Sequence, residues 1–244
     1  MRAWGLTDVG AVRAQNQDSY YIDIIPEEKL AILVVCDGMG GAKAGNIASE
    51  MAVNIFVGDV KNELKPQMSA KQMERMAKKA LEHANEAVHE RSKTDPDCSG
   101  MGTTLVSCIS AGDNVLVVNV GDSRAYRINS GGIEQVSRDH SLVEDLVERG
   151  EITKEEAKQH PGKNLITRAI GTAEHIKGDY YPMKMKNGDN LLLCSDGVSN
   201  LLSDQEILYE VIHNEEKENC CARILEIVMQ RGAPDNATVL IFEK

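Results

Sequence analysis

The chain alternates between short apolar runs and longer stretches of mixed polarity. The short runs are rich in Val, Ile and Leu and are bounded by glycine, asparagine or proline, which is typical of β-strands. This pattern predicts strands at residues 2–8, 19–25, 30–36, 103–110, 114–120, 124–128, 190–194 and 237–242. The turns at 111–114 and 129–132 are too short for a crossover, so the strands beside them are predicted to run antiparallel.

The longer stretches carry apolar residues three or four positions apart, which favours amphipathic helices. They predict helices at residues 43–62, 66–92, 138–150, 152–159, 203–213 and 216–231. Thr153, with Glu156 three positions later, is a capping pattern for one of these helices. Two histidines on the second helix, His83 and His89, are interpreted as solvated surface residues. Helices that follow groups of strands indicate a layered sandwich of α and β elements.

Charge and cysteine content narrow the class of protein. Of 244 residues, 38 are acidic and 27 are basic, which gives a formal net charge of −11. This surplus argues against general binding to nucleic acid or anionic membranes, since both require a basic face. The six cysteines include no Cys-x-x-Cys pair, so buried free thiols in a reducing compartment are predicted. With no signal-peptide core and no apolar run near transmembrane length, we predict a cytoplasmic protein, monomeric by default.

The apolar run at 30–36 ends in a carboxylate that glycines follow. Asp37 stands at the mouth of this buried strand, and Gly38 comes next. A carboxylate beside a backbone free to adopt positive φ suits a cation better than it suits packing. The run at 190–194 repeats the design, because Asp196 and a glycine follow it closely. Further aspartates stand beside predicted strand ends: Asp18, Asp122 and Asp235.

Together these aspartates predict a site for hard divalent cations. Mg²⁺ and Mn²⁺ prefer carboxylate, carbonyl and water ligands, and no His-x-x-His motif or cysteine cluster offers a zinc site. Two such ions sharing one carboxylate would activate a water molecule and neutralise a phosphate, which Arg13 could grip with its guanidinium. One Asp-Gly pair is ordinarily a turn. These residues alone therefore leave a metal-dependent hydrolase and a metal-binding domain as alternatives, with phosphate as the favoured ligand.

At these positions the chain resembles the PPM family, the type-2C metal-dependent Ser/Thr protein phosphatases, in its compact bacterial form. The resemblance runs almost end to end, and an ordered series of motifs is far more specific than a single Asp-Gly pair. The motifs are Asp8-x-Gly10-x-x-Arg13-x-x-Asn16-Gln17-Asp18, Cys36-Asp37-Gly38-Met39-Gly40-Gly41, Gly100-Met101-Gly102-Thr103-Thr104, Asn119-Val120-Gly121-Asp122-Ser123-Arg124, Asp139-His140-Ser141-Leu142, Leu165-Ile166-Thr167-Arg168-Ala169-Ile170-Gly171, Cys194-Ser195-Asp196-Gly197 and Asp235-Asn236-Ala237-Thr238.

The resemblance implies an α+β fold of four layers, an αββα sandwich with two central, mainly antiparallel β-sheets flanked by helices. It implies a single phosphatase domain over residues 1–244, with the metals in a cleft at one edge of the sheets. The charged stretch at about 137–178 matches the family's flap, a segment beside the site that is thought to influence substrate choice.

The resemblance also implies a role for each site residue. Asp37 would bridge two core Mn²⁺ or Mg²⁺ ions. The carbonyl of Gly38 would bind one of them, and Asp196 and Asp235 would complete the other. Asp18 would lie close by, acting directly or through water.

A weaker third ion would be held by Asp122 together with Asp196, as in bacterial members that this chain resembles. Arg13 would hold the substrate phosphate. The reaction implied is direct in-line attack on phosphorus by a metal-bridged hydroxide, with no phosphoenzyme intermediate. The catalytic residues implied are therefore Arg13 and Asp37.

Two departures from the family pattern affect the site. Gln17 stands where the family usually has Glu, which removes a negative charge near the metals and predicts weaker metal retention. Many members carry a histidine just after the glycine cluster, where this chain has Met39, Ala42 and Lys43. The general acid is thus open between a metal-bound water, His140 and His160. Between a structural and a catalytic role for His140, the structural role is favoured.

We predict a metal-dependent phosphatase for phospho-Ser and phospho-Thr proteins that opposes a bacterial Ser/Thr kinase of the eukaryotic type. One alternative is a catalytically weak, phosphoprotein-binding regulatory domain of the same fold. It would have lost metal ligands, whereas this chain keeps them. A two-metal nuclease is a second alternative, but it would need a basic groove that a chain of charge −11 does not show.

Overall fold

Two antiparallel β-sheets form the centre of the fold. The computed structural model describes residues 1–41, 44–214 and 216–244. Its strands are β1 (Arg2–Asp8), β2 (Asp18–Ile25), β3 (Leu30–Met39), β4 (Gly102–Thr103), β5 (Leu105–Ala111), β6 (Asn114–Val120), β7 (Arg124–Asn129), β8 (Gly132–Gln135), β9 (Asp179–Lys184), β10 (Asn190–Cys194) and β11 (Ala237–Glu243).

The strand order of each sheet explains which strand ends meet. The first sheet has the order β1-β11-β10-β7-β8. The second has the order β2-β3-β5-β6-β9, with β4 paired to the end of β3. Every strand pair among the described residues is antiparallel. Antiparallel neighbours place the end of one strand beside the start of the next, so loops from many strands gather at one edge.

Helices flank the two sheets. They are α1 (Ala44–Glu63), α2 (Ala70–Thr94), α3 (Leu142–Glu148), α4 (Lys154–Gln159), α5 (Asp196–Ser199), α6 (Asp204–His213) and α7 (Lys217–Gln230), of which α3 and α4 bury no residue. One apolar core joins α1 and α2 to the second sheet, and another joins α5, α6 and α7 to the first. A third core lies between the sheets and includes Leu33, Leu193 and Leu240. The predicted αββα sandwich is therefore confirmed.

Several element bounds differ from those that the sequence predicted. β3 continues past residue 36 to Met39, because Gly38 and Met39 pair with β4. α2 begins at Ala70 rather than at residue 66, because Ser69 caps it: Gln72 accepts a hydrogen bond from the backbone N–H of Ser69. The helix predicted at 138–150 is shorter, since Ser141 caps α3. The predicted start of α1 at Lys43 lies outside the described residues.

Two further findings concern the cysteines and the helices. All six cysteines are buried and free, as predicted. Within the part of the chain that the structure describes, no helix is long and apolar enough to cross a membrane.

The core between the sheets generates a stability prediction. Leu33 has no exposed surface in that core, so Leu33→Ala should lower the free energy of unfolding by about 2–5 kcal/mol through lost burial and the cavity left behind. Urea denaturation followed by circular dichroism measures this change. Leu165→Ala is the control, because Leu165 is 59% exposed and its truncation should cost less than about 0.5 kcal/mol. Equal losses in both variants would contradict the assigned core.

Candidate active site

The sheet topology brings the predicted aspartates to one edge of the sandwich. Asp18 begins β2 and lies directly opposite Asp37 of β3. Asp196 follows β10 as the first residue of α5, and Asp235 lies just before β11, which pairs with β10. Asp122 occupies the turn between β6 and β7. The five carboxylates are close enough that the charges of the other four all act on Asp37.

Asp18 connects the two sheets through its side chain. Its Oδ2 accepts hydrogen bonds from the hydroxyls of Ser195, at 2.8 Å, and Thr238, at 2.6 Å, both from the first sheet's side of the sandwich. Its Oδ1 is buried and has no hydrogen-bond partner among the described residues. Burial raises the pKa of Asp18 to about 6, and the charges of Asp196 and Asp235 add to this rise. The hydrogen bonds from the two hydroxyls act in the opposite direction and lower the pKa. This carboxylate therefore both joins the sheets and keeps one oxygen free.

Asp37 is the centre of the charge cluster. Desolvation raises its pKa well above the usual value, and the neighbouring carboxylates raise it further. Asp122 behaves in the same way, because burial and then the charges of Asp196 and Asp139 raise its pKa to about 7. The pKa of Asp196 is raised mainly by burial, and the charge of Asp235 adds to the rise. Carboxylates held this close raise one another's pKa, and a bound cation would favour their ionised forms.

The backbone of Asp37 is fixed by two threonines. Its carbonyl oxygen accepts hydrogen bonds from the Thr104 N–H and the Thr103 hydroxyl, both at 2.9 Å. Its N–H donates to the Thr104 hydroxyl at 2.9 Å. The carboxylate thus projects from a backbone whose polar groups on both sides are held in place.

The next residue, Gly38, allows close approach of the first helix. A Cβ atom on Gly38 would lie 2.1 Å from the carbonyl oxygen of Gly45 in α1, and 2.6 Å from that of Gln17. The Gly38 N–H donates to the Gln17 carbonyl at 3.1 Å. Any side chain at Gly38 would therefore push α1 or the Gln17 loop away from the site.

Arg13 lies in the loop between β1 and β2, next to the carboxylates. Its Nη2 donates to Asp235 Oδ2 at 2.8 Å, and both side chains remain partly exposed. Asn236 holds this loop in place: its amide donates to the carbonyls of Val9 and Gln15, and its Oδ1 accepts from the Gln17 N–H. The guanidinium is thereby kept at the mouth of the carboxylate cluster.

The donor set at this edge fits hard divalent cations. All its side-chain donors are oxygens, and the Oδ1 atoms of both Asp18 and Asp196 are buried without a partner among the described residues. Over residues 1–41, 44–214 and 216–244, however, no three Asp, Glu, His or Cys side chains are already arranged around one ion position. Other oxygens bind protein donors instead: Asp196 Oδ2 accepts from Asn200, for example, at 3.0 Å. A cation would displace such contacts on binding.

Comparison with known proteins identifies the family. A model of the protein phosphatase 2C family matches residues 11–229. The chain belongs to the protein phosphatase 2C family. The serine/threonine phosphatase stp of Listeria innocua is 36% identical to it over 245 residues, which cover 100% of this chain and 96% of that protein. The chain is accordingly a metal-dependent Ser/Thr phosphatase.

Solved structures of relatives share the fold of this phosphatase. Stp1 from Staphylococcus aureus superposes with a TM-score of 0.91 at 33% identity, covering 99% of this chain and 94% of that one. The catalytic domain of PstP, solved in complex with two manganese ions, gives a TM-score of 0.84 at 32% identity, covering 98% of this chain and 96% of that one. These relatives support catalytic activity and give no support to the regulatory-domain alternative.

His140 of this phosphatase belongs to the segment predicted as the flap (residues about 137–178) and contacts the turn that carries Asp122. It is 3% exposed. Its Nδ1 accepts from the Gly121 N–H at 3.1 Å, so the ring proton of the neutral form sits on Nε2, which donates to Asp179 Oδ2 at 3.2 Å. Both nitrogens are therefore occupied by structural partners, which fits the structural role and leaves neither free for a substrate.

Sequence reasoning did not assign several residues that shape the phosphatase site. They are the hydroxyl partners of the aspartates and the amide that holds the Arg13 loop: Ser195, Thr238, Thr103, Thr104 and Asn236. All of them lie inside the motifs that carry the resemblance, directly beside a site aspartate or in the paired strand. Their position in those motifs was the available signal.

The buried ring of His140 predicts a pH dependence of stability. Burial lowers its pKa below the ordinary 6.5, and the charges of Arg168 and Arg138 lower it further, although the contact with Asp179 opposes the shift. Below pH 6.5 the unfolded chain therefore binds a proton at this residue more readily than the folded chain does. The contribution of His140 to the free energy of unfolding is complete above pH 6.5 and is lost as the pH falls below that value. Between about pH 8 and pH 5.5, the wild type should lose more unfolding free energy than His140→Asn, by up to about 1 kcal/mol.

Urea denaturation across that pH range makes the measurement. His175→Asn is the control, because His175 is exposed and its substitution should leave the wild-type pH slope unchanged. A slope in His140→Asn as steep as that of the wild type would contradict the assignment.

Proposed function

We propose that the carboxylate edge binds two core Mn²⁺ or Mg²⁺ ions and a weaker third ion, and that the enzyme there hydrolyses phospho-Ser and phospho-Thr in proteins. One observation carries this proposal: the half-buried Asp37 lies within range of the charges of four other aspartates, and the Arg13 guanidinium contacts one of them, Asp235. The PstP relative that holds two manganese ions supports the choice of metal. Like-charged groups packed this closely are typical of a site that needs a cation.

Each proposed ligand follows from its place in the cluster. Asp37 would be shared by the two core ions, which its central position among the other four carboxylates supports. The Gly38 carbonyl would join it on one ion, and Asp196 and Asp235 would bind the other. Asp18 stands behind Asp37 on the neighbouring strand, with its free Oδ1 available directly or through water.

The third, weaker ion is assigned to Asp122 and Asp196. Asp196 is the first charge after burial to raise the pKa of Asp122, which supports the closeness of the two carboxylates. Asp122 lies on the turn that His140 attaches to the flap. Occupation of this position would therefore respond to the placement of the flap.

When bound, the ions activate a water molecule for in-line attack on phosphorus and offset the charge of the phosphate. Arg13 binds the phosphate oxygens as a planar fork, exchanging its contact with Asp235 for the substrate. Asn236 holds the Arg13 loop, so the guanidinium needs little reorganisation to do this. The bond from water oxygen to phosphorus forms as the bond to the Ser or Thr oxygen breaks, and that oxygen gains a proton.

The cellular role proposed here extends beyond the chemistry. We assign phosphorylated proteins as substrates, a Ser/Thr kinase as the opposing enzyme, a monomeric single domain over residues 1–244, and a cytoplasmic location. The names of the relatives support the Ser/Thr specificity. The net charge of −11 supports the exclusion of nucleic acid and anionic membranes as partners. The flap is assigned a part in substrate choice, because it attaches beside Asp122.

Substitution of Asp37 tests the proposed bridging ligand. Asp37→Asn keeps the size of the side chain but removes the charge, so hydrolysis of p-nitrophenyl phosphate in Mn²⁺ should fall by about 100-fold or more. EDTA should abolish wild-type turnover, and added Mn²⁺ should restore it. Asp97→Asn, at an exposed aspartate outside the site, should keep wild-type activity. Full activity in Asp37→Asn, or activity that survives EDTA, would overturn the proposal.

Substitution of Arg13 tests the phosphate contact. Arg13→Ala removes a charge-assisted, forked hydrogen bond and should raise KM for phosphate esters about 10-fold or more, with a smaller effect on kcat. The KM of Arg13→Lys should lie between those of the wild type and Arg13→Ala, because an ammonium provides a point charge without the fork. Arg2→Ala is the matched control, since Arg2 is exposed and pairs with Glu243 away from the carboxylates. An unchanged KM in Arg13→Ala would show that the guanidinium does not bind substrate.

A further inference from the structure

His89 on α2 is not the solvated residue that its helical position predicted. Its Nδ1 lies 2.9 Å from the carbonyl oxygen of Gly171, at the far end of the flap. A carbonyl only accepts, so Nδ1 carries the ring proton and donates it. The Nε2 atom of the same ring is buried and finds no hydrogen-bond partner among the described residues. The bond to Gly171 is thus the polar contact that orients this ring.

Asn85 lies one helical turn before His89 and holds the same glycine from its other side. Its Oδ1 accepts from the Gly171 N–H at 2.9 Å. Its Nδ2 donates to the carbonyls of Ala173, at 3.0 Å, and Glu174, at 3.1 Å. Asn85 is 1% exposed. Asn85 and His89, here called the Gly171 clamp, therefore bind both backbone polar groups of a single residue.

The geometry of Gly171 leaves room for no other residue type. Its φ is +87°, and a Cβ atom there would lie 2.3 Å from Cγ1 of Val88, the residue just before His89 in the helix. Backbone and helix consequently approach more closely than any side chain would permit. This contact brings the segment that ends the flap directly onto α2.

A short series of hydrogen bonds leads from Gly171 to Asp37. The preceding residue, Ile170, forms a β-bridge with Thr103, in which Ile170 N–H donates at 2.8 Å and Thr103 N–H donates at 3.0 Å. The Thr103 hydroxyl donates to the Asp37 carbonyl at 2.9 Å. Thr103 also pairs with Gly38 in the sheet. Thr103 of β4 therefore supports the backbone of Asp37 and Gly38 on one side. On its other side it pairs with Ile170, which the clamp holds through the neighbouring Gly171.

We infer that Asn85 and His89 are positioning residues for the metal site: by fixing Gly171 they hold Ile170 against Thr103, and so fix the backbone of Asp37 and Gly38. This inference rests on the proposed role of Asp37 and Gly38 as metal ligands. The clamp touches neither substrate nor metal. Its effect is to lower the cost of arranging these ligands when an ion binds.

The test removes the clamp's donor and then restores it. His89→Ala should weaken Mn²⁺ binding about 5-fold by calorimetry and speed hydrogen exchange of the Thr103 and Ile170 amides. His89→Asn should restore both, because the Asn Nδ2 occupies the place of the imidazole Nδ1. Asn85→Asp provides a second variant, which keeps the acceptor for Gly171 but loses both donors. Excess Mn²⁺ should return much of the turnover of His89→Ala.

His83→Ala is the matched control. His83 lies on the same helix, is exposed, and pairs with Asp59 at 2.7 Å, so its removal should change neither Mn²⁺ affinity nor exchange at Thr103. If His89→Ala and Asn85→Asp fold and bind Mn²⁺ as the wild type does, the inference is wrong, even where their melting temperatures fall. If the wild type itself binds no Mn²⁺, the proposed function fails instead, and the amide exchange alone then decides whether the clamp holds Thr103.

Discussion

Like charges collected at one edge of the sandwich are the constraint on which the rest of the structure depends. Asp18 and Asp37 face each other on neighbouring strands, and burial, with the charges of nearby aspartates, raises the pKa of each. Such a cluster opposes folding unless hydrogen bonds or cations offset it. The hydroxyls of Ser195 and Thr238 provide part of that offset for Asp18. Because those hydroxyls come from the other half of the sandwich, the same contacts that make the cluster tolerable also join the two sheets.

Strand pairing holds the backbone that carries these carboxylates. β3 extends beyond its apolar run, so that Asp37 and Gly38 lie within a paired strand instead of a loose turn. β4 is only two residues long, yet it provides that pairing. Glycine is required at Gly38, where α1 approaches within contact of the strand. Rigidity at this edge comes from strand pairing and close packing, which lets the exposed loops around it differ in shape without moving the ligands.

The sequence was most informative where local pattern and global fold agree. The bounds predicted for β10 match those observed, because a fully apolar run between turns leaves few alternatives. β9 was not predicted, since it is a partly exposed edge strand interrupted by Pro182. The site aspartates could be predicted from their glycines and strand ends. Their hydroxyl partners and the contact from His89 to Gly171 could not, because these depend on which sheet, helix and loop face each other.

Two imidazoles that contact the flap segment or belong to it, His140 and His89, bear on the choice of general acid. His140 attaches the start of the flap to the Asp122 turn, and His89 attaches its end to α2. Each ring gives a nitrogen to a backbone group, and His140 gives its second nitrogen to Asp179. A ring fixed in this way cannot deliver a proton to a leaving oxygen without breaking the contacts that hold the flap. His140 is therefore a poor general acid, which leaves water and His160 as the sources that the sequence proposed. Of these, His160 already accepts from the Gly162 N–H through Nδ1, so only its Nε2 could serve.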